Sequence, residues 1–429
     1  MSGARSTTRP KMTAILANSV PFMLQAQVWT AKGDLAKAVE TFERLNNTYP
    51  KLPGLKYQLG RAYAQTKNAP QAVAVLNQAL ALNPDYAEAA LLLAELNLRQ
   101  GNAEAVVTPM LELSTKRPDI VPAHLLLADA YRALGRLEDS AQVVRKQIAQ
   151  FPDNPQPYLI LGLVQRLQNK NAEARKSFEQ ALERAPDNLT IIYQLVDLDL
   201  VEKKYAAAHA RVQEQLAKKA DSAGAYFLEG RVFAVEENWD AAEKALKKSL
   251  ELDSNATSTY QLLVGVYVSA KKLPEAVAQL EAFLAKNPDN VAALMTLGTI
   301  QDQTGNYQKA REVYERLLAA NPEFAPGLNN LAYLYSERFN EPEKAYELAR
   351  KARGLQADDP RIADSLGWIL YKRGEYQQAF ALLQESASKM ASPEVQFHFG
   401  MFCRQSLHFR EASELQAVAR TPRMLRLPP

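Results

Sequence analysis

The side chains able to do chemistry are few in this chain and poorly spaced for it. Histidines stand at His124, His209, His398 and His408, and Cys403 is the single cysteine. His398, Cys403 and His408 form the one cluster of metal-ligand residue types, at steps of five residues. On a helix such a step rotates the next side chain by about 140°, so one face cannot present all three to an ion. The sequence contains no HExxH, CxxC, phosphate-binding Gly loop or GxSxG nucleophile motif. Adjacent carboxylates such as Glu236-Glu237 and Asp358-Asp359 read as solvated surface. The expectation is therefore no catalytic residue, no cofactor, no metal and no small-molecule substrate.

Composition narrows the function classes further. With 51 basic and 48 acidic residues the net charge is +3, so no global basic footprint for nucleic acid is present. Apolar residues at 47% suffice for a continuous core. A lone cysteine rules out a disulfide within the chain, which fits a reducing compartment or an exported helical protein that needs no staple. No apolar run approaches the ~18 residues of a membrane span. The stretch from Met1 to Met12 is polar and basic, without the apolar core of a signal peptide.

What could position any site is legible in the prolines. Pro50, Pro84, Pro118, Pro152 and Pro186, then Pro288 and Pro322, are spaced by 34 residues or a multiple, with Ala220 and Ser254 at the two skipped places. So strict a period means a stacked array of repeats with a long continuous surface. In the period ending at Pro186, Leu161 and Gly162 lie on one apolar-periodic helix, and Asn169-Lys170-Asn171 interrupt it. Ala174, Phe178, Ala181 and Leu182 then form the face of a second helix. Proline cannot continue a helix, so each period is a helical hairpin with two short turns.

Small residues recur in the first helix at Gly60, Ala94, Ala128, Gly162, Gly230, Gly298, Ala332 and Gly367. In the second they recur at Ala38, Ala72, Ala174, Ala208, Ala242, Ala276, Ala310, Ala345 and Ala379. Large side chains there would overpack the seam, at about 1–3 kcal/mol each. Filling comes from Tyr63, Tyr131, Phe233, Tyr267 and Tyr335 in first helices and from Phe42, Leu76, Phe178, Leu246 and Tyr314 in second ones. Gly33, Gly101, Gly135, Gly305 and Gly374 mark turns inside the hairpins.

These residues resemble the tetratricopeptide repeat family. Leu297-Gly298, Gly305-Asn306-Tyr307, Ala310, Tyr314 and Pro322 follow its consensus closely. The resemblance runs from about Ser19 to Arg420 and implies an all-α, right-handed superhelical solenoid of about 11–12 helix-turn-helix repeats. Residues 1–18 are expected to be a disordered lead-in or the remnant of a preceding repeat, 19–420 one continuous solenoid and 421–429 an irregular tail. The abrupt start and the poorly matching end suggest part of a longer array. Three departures stand out. The period Leu189 to Ser222 has Val196 at a small-residue place and Ala220 in place of proline. One extra residue falls near Arg338 to Pro342 and the next period is about one residue short, so the register shifts slightly. The last period, around Met401-Phe402-Cys403-Arg404, matches least.

The resemblance implies that first helices line a concave, ligand-binding face. One recurring position on them reads Tyr57, Leu91, Leu125, Leu159, Tyr193, Phe227, Gln261, Met295 and Asn329. One turn further come Arg61, Glu95, Asp129, Leu163, Asp197 and Arg231. Two readings are open. The first is a groove taking a peptide or helix on apolar anchors with a polar rim. The second has these side chains folding sideways to close the gap between neighbouring first helices. The basic set with which some family members grip a terminal carboxylate is not reproduced, since Tyr57, Leu91 and Leu125 occupy its places. Asn329, Asn330, Tyr333, Arg361, Asp364, Ser365, Trp368, Tyr371 and Lys372 make the last segment polar and aromatic, a hot-spot composition.

The implied function is a non-catalytic scaffold or adaptor with a protein or peptide partner. The run Asp364 to Gly374, with Pro393-Glu394-Val395, resembles bacterial exported repeat proteins that accompany exopolysaccharide production and surface-protein sorting. That implies assembly or export at a bacterial cell envelope or periplasm, and the cytoplasm otherwise. The alternative is an accessory repeat region of an enzyme, such as a glycosyltransferase or peptidase, with its catalytic domain outside this chain.

Overall fold

The 34-residue period folds as paired helices. The structure, a computed structural model, describes residues 22–404. Among them no strand occurs, and first helices of 13 residues such as Pro155–Leu167 alternate with second helices of 14 such as Asn171–Arg184. No helix among the described residues is long and apolar enough to cross a membrane.

The chain divides into two compact units, one ending at Lys218 and one beginning at Lys219. In the first, residues 22–31 pair with Leu35–Thr48, and the hairpins continue to Leu189–Val201 with Tyr205–Lys218. The second runs from Ala223–Val235 with Trp239–Leu252 to Pro360–Lys372 with Tyr376–Lys389, and residues 393–404 are again helical. Within each unit a second helix packs on its own first helix and on the next first helix, and many neighbouring first helices touch.

The turns explain where helices end. Gly33, Gly101, Gly135, Gly305 and Gly374 have φ between +73° and +84°. Lys67, Asn169, Lys203, Glu237 and Lys271 take the same turn without glycine, at φ from +57° to +60°. Left-handed backbone at this place is thus a property of the hairpin, and glycine only makes it cheaper. Asn68 and Asn238 then accept the backbone N–H three residues on and start the second helix, and Asn290 does the same for a first helix.

The seam inside each hairpin is built from pairs sixteen residues apart. A Cβ on Gly60 would sit 2.8 Å from Leu76, on Gly162 2.4 Å from Phe178, on Gly230 2.5 Å from Leu246 and on Gly298 2.5 Å from Tyr314. Where the first helix carries Ala94 or Ala128, the residue sixteen on is the smaller Met110 or Val144, and both pairs are buried. In the irregular period Val196 faces Val212, each fully buried. It folds as an ordinary hairpin. Asp199, 1% exposed in its side chain, clamps it by receiving Arg175 at 2.7 Å and Arg211 at 2.8 Å from the two second helices beside it.

Tyrosine tips tie successive hairpins together. The hydroxyls of Tyr63 and Tyr335 donate to Glu43 at 2.5 Å and Glu315 at 2.7 Å, on the preceding second helices. The extra residue also has a place. Ala325–Leu334 continues as a π-helix over Tyr335–Phe339, and Asn340 closes it at φ +52°. A π turn holds one residue more than an α turn, so the insertion ends inside its own hairpin.

Candidate functional site

Late in the second unit, three successive first helices bring an acidic and aromatic cluster together. Tyr333 and Glu337 come from Ala325–Leu334 and its π extension, and Asp364, Trp368 and Lys372 from Pro360–Lys372. Glu394 and His398 come from the helix over 393–404. His398 Nδ1 lies 2.8 Å from Asp364 Oδ2, with both side chains buried. The His398 ring stacks on Trp368 at 4.2 Å between centroids, and Tyr371 stacks on Trp368 at 5.1 Å. Trp368 Nε1 donates to Glu337 Oε1 at 3.0 Å, and Lys372 Nζ donates to the same oxygen at 2.9 Å. The Tyr333 hydroxyl donates to Glu394 at 2.8 Å.

The electrostatics follow from this wiring. Burial pushes the Glu337 carboxyl up, but the Lys372 ammonium and the donors of Trp368 and Ser336 outweigh it and hold the group below its usual range. Burial first, and the hydrogen bond to Glu394 second, push the Tyr333 hydroxyl well above the ordinary tyrosine value. Asp364 Oδ1 and Asn329 Oδ1 are buried and accept no hydrogen bond. Such a surface stacks and accepts hydrogen bonds.

The sequence-predicted residues fall into two groups. Asn329, Tyr333, Asp364, Trp368 and Tyr371 lie together around the cluster just described. Trp368 is half-buried between Tyr371 and the next hairpin's His398, with its nitrogen satisfied. The earlier positions are spread along the first helices. Tyr57 is half-buried with its ring 5.3 Å from Tyr86, and the exposed Arg61 lies over it. Leu91 and Leu125 are half-buried against the cores around Met110 and Val144. Leu159 is itself core, at 7% exposure. Tyr193 is half-buried, and Phe227 packs against the core around Leu263. One turn further, Glu95 pairs with Arg99 and Asp129 with Arg132 on their own helices, and Arg231 is half-buried.

Glu337, Glu394 and His398 were not singled out as binding residues. His398 was read only as a metal-ligand type, yet it stands 34 residues after Asp364, on the same register position of the next first helix. That spacing was the available signal. His408 and the tail lie outside the described residues.

Comparisons with known proteins agree with this architecture. Models described as tetratricopeptide repeat match residues 30–96, 112–155 with 125–189, 266–323 and 361–389. A TPR repeat-containing protein of Pseudomonas aeruginosa is 30% identical over 117 residues, which is 27% of this chain and 20% of that protein. The match thus spans a fifth of the relative's length. Among solved structures, yeast Tom70 is similar at 15% identity over 95% of this chain and 98% of its own, with a TM-score of 0.45. A tetratricopeptide repeat protein from Parabacteroides merdae is similar at 18% identity, 57% and 96% coverage and a TM-score of 0.49.

Proposed function

Because the chain belongs to the tetratricopeptide repeat family, we propose that it is a non-catalytic scaffold whose first-helix face binds a polypeptide partner. The cluster around Trp368 carries this reading. On the recurring register position, Phe227 is followed by Gln261, Met295, Asn329, Asp364 and His398, so the last three places are polar while core positions beside them stay apolar. On neighbouring first helices the half-buried Tyr333, Trp368 and Tyr371 offer ring area beside the charges of Glu337 and Lys372, a composition that interface hot spots use. Salt bridges such as Lys372–Glu337 place charge at the edge of that face, where it orients a partner more than it adds affinity.

A photo-crosslinking amino acid tests the reading. p-Benzoylphenylalanine, close to tyrosine in shape, is placed at Tyr333 in the source cell, and in a control at the exposed Lys248 on a second helix. A discrete polypeptide adduct from position 333 and none from 248 is the expected result. Equal labelling from both, or none from 333 in a folded variant, rejects the first-helix face as the binding face.

A further inference from the structure

Resting on the reading that first helices carry the binding face, we propose that the acidic and aromatic cluster takes an arginine side chain of the polypeptide partner. The Tyr333 hydroxyl holds part of that arginine's place until it arrives. The reach of Tyr333 is the first observation. Tyr63 and Tyr335 tie to the second helix just before them, twenty residues back. Tyr333 donates instead to Glu394, 61 residues on. Its hydroxyl thus passes the hairpin of Pro360–Lys372 and Tyr376–Lys389 and joins the helix that follows. Its ring stands 6.4 Å from that of His398. The bond to Glu394 is an exposed pairing of two side chains, which a change of rotamer opens.

Around Tyr333 the acceptors lack donors. Asp364 is 5% exposed, and His398 meets its Oδ2 only, so the buried Oδ1 accepts no hydrogen bond. A buried carboxylate oxygen in that state is a standing demand for an N–H. Glu394 accepts from Tyr333, and among the described residues no lysine or arginine pairs with it. The charges that bear on the Tyr333 hydroxyl are those of Glu394, Glu337 and Asp364, all carboxylates. The cations nearby are engaged: Lys372 with Glu337, and Arg361 with Asp359 through two nitrogens. What the cluster lacks is a positive charge that donates.

The rings decide which cation fits. Trp368 stacks on Tyr371 and on His398 with planes 18° and 16° apart, a flat wall beside the acceptors. A guanidinium is planar, stacks on such faces and offers five donors, whereas an ammonium is a compact and strongly hydrated point charge. Among the described residues no three His, Cys, Asp or Glu side chains are placed to hold a metal ion, so the acceptors suit an organic cation. With Tyr333 turned aside, the guanidinium replaces its hydroxyl on Glu394 and supplies the N–H that Asp364 Oδ1 lacks.

The probe is a phage-displayed library of random peptides selected on the purified full chain. Enriched peptides are expected to share an arginine. The most enriched one is then synthesised with that arginine and with citrulline, which has nearly the same shape and no charge. Citrulline should weaken binding about tenfold, and so should Glu394→Gln, a change at an exposed residue that leaves folding alone. Tyr333→Phe keeps the ring and removes the competing hydroxyl, so it should tighten binding by about threefold, a gain that a merely structural tyrosine would not give. Equal affinity of the arginine and citrulline peptides overturns the proposal. Unchanged affinity for Glu394→Gln, or weaker binding to Tyr333→Phe, overturns it too. So does an enriched set without arginine, lysine-bearing peptides included, or no enrichment at all. The first-helix face is judged separately, by the crosslink from position 333, and stands or falls on that result.

Discussion

Lys271 shows how a single residue bears the geometry of a repeat. It holds φ +59° in a turn where other hairpins use glycine, and a non-glycine residue in left-handed backbone costs about 1–2 kcal/mol. Lys271→Gly should therefore stabilise the protein by about 1 kcal/mol after the greater freedom of glycine in the unfolded chain is set against it. Thermal unfolding checks this, and a lower midpoint would refute it. Tyr63 and Tyr335 make a second prediction at this scale. Burial, then the hydrogen bond to Glu43 or Glu315, raises both hydroxyls from the ordinary 10 to about 12. The folded state thus favours the protonated form, and the stability it confers is full below pH 10 and lost as pH rises toward 12. The advantage of the wild type over a Tyr63→Phe, Tyr335→Phe variant should narrow across that window in denaturant titrations. A constant difference would show that the hydroxyls do not titrate late. Glycine turns were legible in sequence because glycine announces left-handed backbone. Asn169 was read as a helix break, but Lys67, Lys203, Glu237 and Lys271 were not, because only the fixed hairpin length puts them there.

At the scale of the element, several hairpins close on a glycine that faces a large side chain sixteen residues on. The small positions and the large ones were each visible in sequence, and Gly162 and Phe178 fall where the period places them. Their pairing was hidden, since a period shows which positions recur and not which of them touch. The pairing can be tested by a double-mutant cycle. Gly162→Ala should destabilise by about 1–3 kcal/mol, because its Cβ would press on a buried ring 2.4 Å away. Adding Phe178→Met, which recreates the Ala94–Met110 combination, should recover part of that loss. Strict additivity of the two changes would mean that the contact is not the determinant. The Trp368 cluster was legible to the same degree. Its members on Pro360–Lys372 stood out by type, whereas Glu337 depends on a π turn that no hydrophobic pattern reveals.

For the whole molecule, stability in a stacked array is close to a sum over neighbours, so a local break should stay local. Asp199 is the sharpest place to break. Asp199→Ala would leave Arg175 with Glu202 and Arg211 with Glu179, and with both guanidinium groups partly exposed the loss should be about 1–3 kcal/mol. Hydrogen exchange should then speed up in the hairpins from Pro155 to Lys218 and remain unchanged beyond Ala223. Uniform acceleration along the chain would contradict the neighbour-sum picture. That the chain is a repeat array was plain from the proline ruler, and the resemblance built on it gave the repeat number and fold class. The division at Lys218 was not, although Ala220, where the closing proline is missing, stands beside it. The π-helical segment Tyr335–Phe339 carries one more consequence. It acts as a phase buffer, because an odd residue is absorbed inside the period that received it and later hairpins keep their footing. An array of this kind can therefore take up a single inserted residue at such a joint without a change in the helical pairing on either side.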